Sequence, residues 1–306
     1  MTIPLHGVFP YLVTPLTADG KLDEDVVERQ VRRSIKAGVH GLTPLGSSGE
    51  LPLVPQAVRD DMVRAVVDLA GGTVPVVAGV GAFDVRTGVD AAEAAQAAGA
   101  DGIVAVLFGY FPLTGREAVT YFTAVAESVT VPVVLYYHPQ FCRFELSGAD
   151  AARLAEVDNI RYIKDASGQI ANLSKWRIAT DGAIGVFAST SFSPTAAMLL
   201  GAVGWMSGPA TVLPGVSAAI YAHCREGRWQ EAVALEQLIE PVLEAFRVHG
   251  PARTVKACLR ALGLDAGGAI APLAELTAAE MAALQATCDS VASRLDAAGF
   301  AEPGVE

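Results

Sequence analysis

Charge is scarce in this sequence, and basic charge most of all. Of 306 residues 18% are charged, the formal net charge is −11, and no run of lysine or arginine occurs. A phosphate backbone needs a basic face to neutralise it, so a nucleic-acid partner is excluded and a small-molecule substrate is expected. Cysteines are few. Cys142, Cys224, Cys258 and Cys288 stand far apart with no Cys-x-x-Cys pair, which argues against a disulfide scaffold or a structural zinc site and leaves buried thiols. His, Asp and Glu do not cluster at metal-ligand spacing, so no metal is expected. The sequence has no Gly-x-Ser-x-Gly elbow, and no Gly-x-Gly-x-x-Gly opens a helix after the first strand-like run. No apolar stretch approaches the roughly 18 residues of a membrane span, and the first residues lack a basic leader with an apolar core. The cytoplasm is the expected location.

What is present is apolar. Hydrophobic residues make up 52% of the chain, as suits parallel strands buried on both faces. Short β-branched runs at 7–14, 41–45, 74–80, 102–108, 131–137, 160–164, 183–189 and 204–208 alternate with helical stretches at 23–37, 55–69, 86–98, 115–128, 147–155, 170–180, 193–200 and 215–226. Gly38 and Gly99 punctuate helix exits, where a left-handed cap is needed. Eight strand–helix units without a dinucleotide motif predict an α/β fold, a (β/α)8 TIM barrel over residues 1–227. Periodic stretches at 229–249, 252–262 and 277–298 predict a C-terminal helical appendix over residues 228–306.

One lysine is out of place. Lys21, Lys36, Lys175 and Lys256 fall in polar turns or amphipathic helices, whereas Lys164 follows Tyr162 and Ile163 at the end of a strand-like run. Burial of an unpaired ammonium favours the neutral amine, the form a Schiff-base nucleophile needs. Pairing with Asp165, or projection out of the sheet, would account for it equally well. Barrel active sites lie at the carboxyl ends of the strands, so the other tips matter. After 41–45 comes Gly46-Ser47-Ser48-Gly49-Glu50, a tight turn with hydroxyls and free N–H groups that suit a carboxylate or phosphate. The tip at 131–137 reads Tyr136-Tyr137-His138-Pro139, and the one at 102–108 leads into Gly109-Tyr110-Phe111-Pro112. Tyr136 is either a core aromatic or a proton donor, His138 a general base or incidental, and the aromatic loop either packing or an oligomer contact.

Together the turn 46–50, Leu135-Tyr136 with Pro139, and Tyr162-Ile163-Lys164-Asp165-Ala166-Ser167-Gly168 resemble the dihydrodipicolinate synthase / N-acetylneuraminate lyase family of pyruvate-dependent class I aldolases. The opening Gly7-Val8-Phe9-Pro10 with Thr14-Pro15, the stretch Gly204-Trp205-Met206-Ser207-Gly208 and the tail Thr254-Val255-Lys256-Ala257-Cys258-Leu259 extend the resemblance over nearly the whole chain. It implies that Lys164 forms an imine with pyruvate or another 2-oxo acid, with no separate cofactor. Tyr136 would be the general acid/base, joined by a hydroxyl relay to Ser47 and to Tyr110 of a neighbouring subunit in a homotetramer built as a dimer of dimers. Ser47 and Ser48 would hold the substrate carboxylate, with Met206, Phe141 and Arg143 as further substrate contacts.

Departures from the family pattern bear on specificity. Phe141 stands where synthases acting on aspartate semialdehyde carry a carboxylate-clamping arginine, and Arg143 lies two residues on. Ser189-Thr190-Ser191-Phe192 replaces a glycine followed by acids, and Gln56, Arg59 and Phe83 stand where lysine-inhibited synthases carry two histidines and an asparagine. The expected activity is therefore a dihydrodipicolinate synthase-like carbon–carbon lyase, with a 2-keto-3-deoxy sugar-acid aldolase or dehydratase as one alternative. A non-catalytic 2-oxo-acid-binding barrel is an alternative of another class, and a flavin or nucleotide barrel lacks its phosphate motif.

Overall fold

The apolar runs form parallel strands in the computed structural model, which describes residues 4–189 and 192–305. In chain order the elements are β1 (Gly7–Pro10), α1 (Glu24–Lys36), α2 (Gln56–Ala70), β2 (Val77–Ala82), α3 (Val85–Ala97), β3 (Gly102–Leu107), α4 (Gly115–Glu127), β4 (Val133–Tyr137), α5 (Pro139–Cys142), α6 (Gly148–Ala155) and β5 (Ile160–Asp165). There follow α7 (Ala171–Ala179), β6 (Gly185–Ala188), α8 (Pro194–Leu199), β7 (Gly204–Ser207), α9 (Pro209–Val212), α10 (Pro214–Arg225), α11 (Trp229–His249), α12 (Pro251–Ala261) and α13 (Ala278–Ala297). The strands pair in the order β1-β7-β6-β5-β4-β3-β2, every ladder parallel, in one curled sheet with helices outside it. All six residues of β2 are buried, as expected of a strand covered on both faces.

The expected strand at 41–45 is not a ladder strand. Thr43 makes a single parallel bridge to Tyr11 and Leu42 one to Val76. Its sequence explains this: Pro44 has no N–H to donate, and Leu45 turns left-handed at φ 60°. The segment still bonds to both outer strands' neighbourhoods. Thr43 N donates to Pro10 O at 3.0 Å, and Val77 N donates to Leu42 O at 2.9 Å.

Local chemistry sets the helix ends. Asp23 and Asp84 cap α1 and α3, and reciprocal capping boxes at Thr114/Glu117, Ser147/Asp150 and Thr277/Glu280 satisfy the first N–H groups of α4, α6 and α13. Gly38 and Gly99 take φ of 78° and 93°, the left-handed exits read from sequence. The short helices α5 and α9 escaped that reading, since four residues are too few for periodicity.

The last three helices pack on the preceding ones, α11 against α8 and α10 and α12 against α9. One contact ties them to the sheet's carboxyl end. Lys256 on α12 is buried beside Glu50 at 2.6 Å, so this lysine is not the solvated one its helix suggested. The contact is ionic rather than a directed hydrogen bond. The Glu50 carboxylate also accepts from Ile270 N at 2.6 Å, and Lys256 donates to Gly268 O at 2.8 Å. The four cysteines are buried free thiols. No helix among the described residues is long and apolar enough to cross a membrane.

Candidate active site

Strand periodicity places the candidate lysine. Lys164 on β5 and Tyr136 on β4 are register partners, so both side chains leave the sheet on the same face. Lys164 is 3% exposed, and its Nζ lies 4.3 Å from the Tyr11 ring centroid and 4.7 Å from that of Tyr136. Burial between the rings lowers the amine to about 7, with Cys142 and Asp165 opposing the shift more weakly. The ion pair with Asp165 that sequence left open does not form. Asp165 accepts instead from Trp176 Nε1 at 2.6 Å and from Ser167 N and Oγ at 2.8 and 2.6 Å.

Around Lys164 lies a chamber of about 350 Å³, lined by Tyr11, Ser47, Ser48, Tyr136, Phe141 and Ser189 among others. Thr190 and Ser191 lie outside the described residues. Burial, and then the nearby Cys142, raise the Tyr136 phenol well above its ordinary value, with the neighbouring Ser47 side chain opposing the shift. Ser48 Oγ is buried and has no hydrogen-bond partner among the described residues. The serine turn is bounded by two non-glycine residues in the left-handed region, Leu45 and Glu50, both buried. Such strain persists only where the surroundings fix it, and the Glu50–Lys256 pair does so here. Gly46 is glycine because a Cβ there would meet the Tyr11 ring at 2.2 Å.

Other expected site residues lie elsewhere. Met206 is buried in the core and Arg143 is exposed, capping α5 at φ 55°; neither lines the chamber. Phe141 does line it, with its ring stacked on His138 at 3.9 Å. Desolvation, and then the nearby Lys164, lower His138 to about 4, so its ring is neutral at physiological pH. Tyr110 is 73% exposed and lies edge-on to Phe111 at 4.9 Å, outside its own chain's chamber. Beside the chamber, an apolar hollow of about 280 Å³ shares Tyr11, Ser47, Tyr136 and Phe141 with it.

Several lining residues escaped sequence reading, Tyr11 and Arg247 among them. Tyr11 lies inside the first strand-like run, just after the observed β1, where an aromatic reads as core. Arg247 lies on α11 at the chamber mouth, held by Glu244 at 2.6 Å and by Glu240. Only its place, far along the chain, brings it here. Among the described residues no three His, Cys, Asp or Glu side chains come together as metal ligands.

A buried amine lowered to about 7 at a strand's carboxyl end, on a parallel α/β sheet, has the form an imine-forming enzyme requires. The chain belongs to the dihydrodipicolinate synthetase family, whose pattern it matches over residues 4–291. It is 38% identical over 283 residues to an uncharacterized DapA-like lyase of Halobacterium salinarum, covering 92% of each chain. It is 31% identical over 281 residues to the 4-hydroxy-tetrahydrodipicolinate synthase of Acidiphilium cryptum, covering 91% of this chain and 96% of that one. The crystal structure of a chloride-inhibited dihydrodipicolinate synthase from Acinetobacter baumannii, complexed with pyruvate, superimposes with a TM-score of 0.89 at 27% identity. It covers 94% of this chain and 98% of that one. The chain is thus a lyase of the dihydrodipicolinate synthase type.

Proposed function

We propose that Lys164 condenses with the keto carbon of pyruvate, or of the longer 2-oxo acid that the reverse reaction cleaves, and that the protonated imine is the electron sink for carbon–carbon bond formation or scission. One observation carries the reading: a buried lysine at about 7 whose register partner, Tyr136, lines the same chamber as Ser47. Near neutral pH a large share of this amine is unprotonated, whereas a solvated lysine is almost wholly charged. Tyr136 carries protons to and from the imine and the substrate oxygen. Its raised pKa suits an acid that gives up a proton only within a relay or beside a developing cation. Ser47, Ser48 and the N–H groups of their turn hold the carboxylate.

We further propose that the segment 41–45, though it forms only isolated bridges, stands in the place of an eighth strand and closes the barrel, that residues 1–227 form it, and that 228–306 are helices packed on it. The exposed Tyr110 and Phe111 fit the apolar hollow beside the chamber of a second copy, where the Tyr110 hydroxyl would reach Ser47 and complete the relay. This predicts at least a dimer, and a tetramer as two such dimers. Catalysis needs no cofactor beyond the covalent imine, and the enzyme works in the cytoplasm.

Reduction with borohydride in the presence of pyruvate, followed by peptide mass mapping, tests the reading. The adduct is expected on Lys164. Lys175 donates to Leu146 O at 3.0 Å and Lys256 is ion-paired. An adduct on either, or none at saturating pyruvate, would overturn it.

A further inference from the structure

We propose that the phenol hydroxyl of Tyr11 is a further substrate-contacting group of this site, donating a hydrogen bond to the oxygen that leaves the keto carbon as Lys164 forms its imine. The inference rests on the imine reading of Lys164 and adds a residue to it.

Three observations carry it. The Tyr11 ring lies directly over the nucleophile, 4.3 Å from Nζ. The hydroxyl is buried and has no protein partner among the described residues, although Tyr11 lines the chamber that Lys164 shares with Ser47 and Ser48. The ring is also firmly placed. Tyr11 N donates to Ser207 O at 3.1 Å, Thr211 Oγ1 donates to Tyr11 O at 2.8 Å, and the absent side chain of Gly46 leaves the space the ring occupies. Covering Lys164 and excluding water from it would need only a phenylalanine. The hydroxyl is what packing leaves unexplained, and a buried hydroxyl without a partner destabilises the unliganded protein.

The chemistry of imine formation supplies a partner. Nζ forms a bond to the keto carbon, the carbonyl π pair moves to oxygen, and the nitrogen loses a proton as that oxygen gains one through the Tyr136 relay. In the second step the nitrogen lone pair forms C=N, the C–O bond breaks, and hydroxide leaves as water with a further proton from the relay. Charge gathers on this oxygen in both steps, within two bonds of Nζ. Tyr136, which lines the chamber beside Ser47, acts in the proposed relay. Tyr11 stands on the other ring face around Nζ and is free to donate. Burial, then the neighbouring Tyr136, keep its phenol protonated, so it donates without surrendering its proton.

Tyr11→Phe keeps the ring and removes the hydroxyl. With pyruvate and borohydride, the rate of adduct formation on Lys164 is expected to fall about 10- to 100-fold, the range for losing a hydrogen bond to a developing charge. The pH midpoint of trapping should stay at the wild-type value and the thermal midpoint should not fall, because the amine's surroundings are unchanged. A variant that traps within about twofold of the wild-type rate overturns the proposal. So does a slower variant whose pH midpoint moves, since that marks an altered environment for Lys164. If Tyr11→Phe fails to fold, 3-fluorotyrosine at position 11 takes its place, and a rate equal to wild type then overturns it. Absence of an adduct in the wild-type enzyme overturns the imine reading itself, which separates the two failures.

Discussion

Tyr136 and Lys164 face each other across adjacent parallel strands, and the next pair in register is Tyr137 with Asp165. Side chains alternate along a strand, so the first pair enters the chamber while the second turns to the helices. There Asp165 holds the indole of Trp176 on α7, and Tyr137 lies edge-on to the same ring at 5.1 Å. A one-residue offset thus keeps the nearest carboxylate in sequence from pairing with Lys164. Directed at Lys164, Asp165 would hold it as an ammonium.

The pH dependence of trapping follows from Lys164. The neutral fraction of an amine at about 7 rises through that pH, so adduct formation should climb between about pH 6 and 8 and then level. Stability moves in the same direction. The folded state releases this proton near pH 7 and the unfolded state near 10.5, so between those values the unfolded chain binds more protons and stability rises with pH. Lys164→Met should therefore abolish trapping and raise the thermal midpoint, most at pH below 7, as calorimetry at two pH values would show.

Tyr136→Phe should lower kcat by about 10²–10⁴, the usual range for losing a general acid/base, with little change in the thermal midpoint. Ser47→Ala should lower it less, since Tyr136 remains. Equal losses from both variants would instead mark Ser47 as the group that moves the proton. Steady-state kinetics on the released pyruvate measures both.

Light scattering at micromolar concentration should show at least a dimer. Tyr110→Ala should lose activity while keeping its fold, and mixing it with Lys164→Ala chains should restore part of that activity. The hybrid holds one site with its own Lys164 and the partner's intact loop. A fully active monomer would refute the shared relay.

Aspartate semialdehyde should be a poor acceptor. Phe141 offers its carboxylate no charge, Arg143 is outside the chamber, and Arg247 at the mouth is already engaged by Glu240 and Glu244. Leaving a substrate carboxylate desolvated and unpaired costs several kcal/mol, or about 10²–10⁴ in kcat/KM. Neutral aldehydes with apolar or hydroxylated tails should be better served. A comparison of kcat/KM decides between the two acceptor types, and Phe141→Arg should shift it toward the acid.

Lys256→Met should destabilise the protein by about 3–5 kcal/mol, because the Glu50 carboxylate would remain buried without its counter-charge. Glu50→Gln in the same chain should recover part of the loss, as denaturant titration would reveal.

The sequence made most of the fold legible because apolar runs and helical periods are local signals. Seven of the eight expected strands and all eleven expected helices appear, with ends shifted by one or a few residues. The missing ladder strand, 41–45, failed at Pro44 and Leu45, where backbone chemistry overrode an apolar pattern. In the site, Lys164, Tyr136, Ser47, Ser48 and Phe141 come together around one chamber. Met206 and Arg143 do not, because which face a strand-end or loop residue presents depends on packing. Tyr11 and Arg247 were hidden for a related reason: a core-looking aromatic and a surface-looking arginine become site residues only when segments distant in sequence meet.

The Glu50 carboxylate draws one hydrogen bond from Ile270, 220 residues downstream, and its counter-charge from Lys256. On a translating ribosome adding about 5–20 residues per second, the serine turn therefore waits roughly 10–40 s for the groups that hold its strained end. During that interval the turn can hold its local bonds, such as Thr14 Oγ1 to Gly49 O at 2.8 Å, while the Glu50 carboxylate lacks both Ile270 and Lys256. Completion of the serine turn is consequently a late event in the life of each chain, and a chain stopped before residue 256 would lack both groups that hold Glu50.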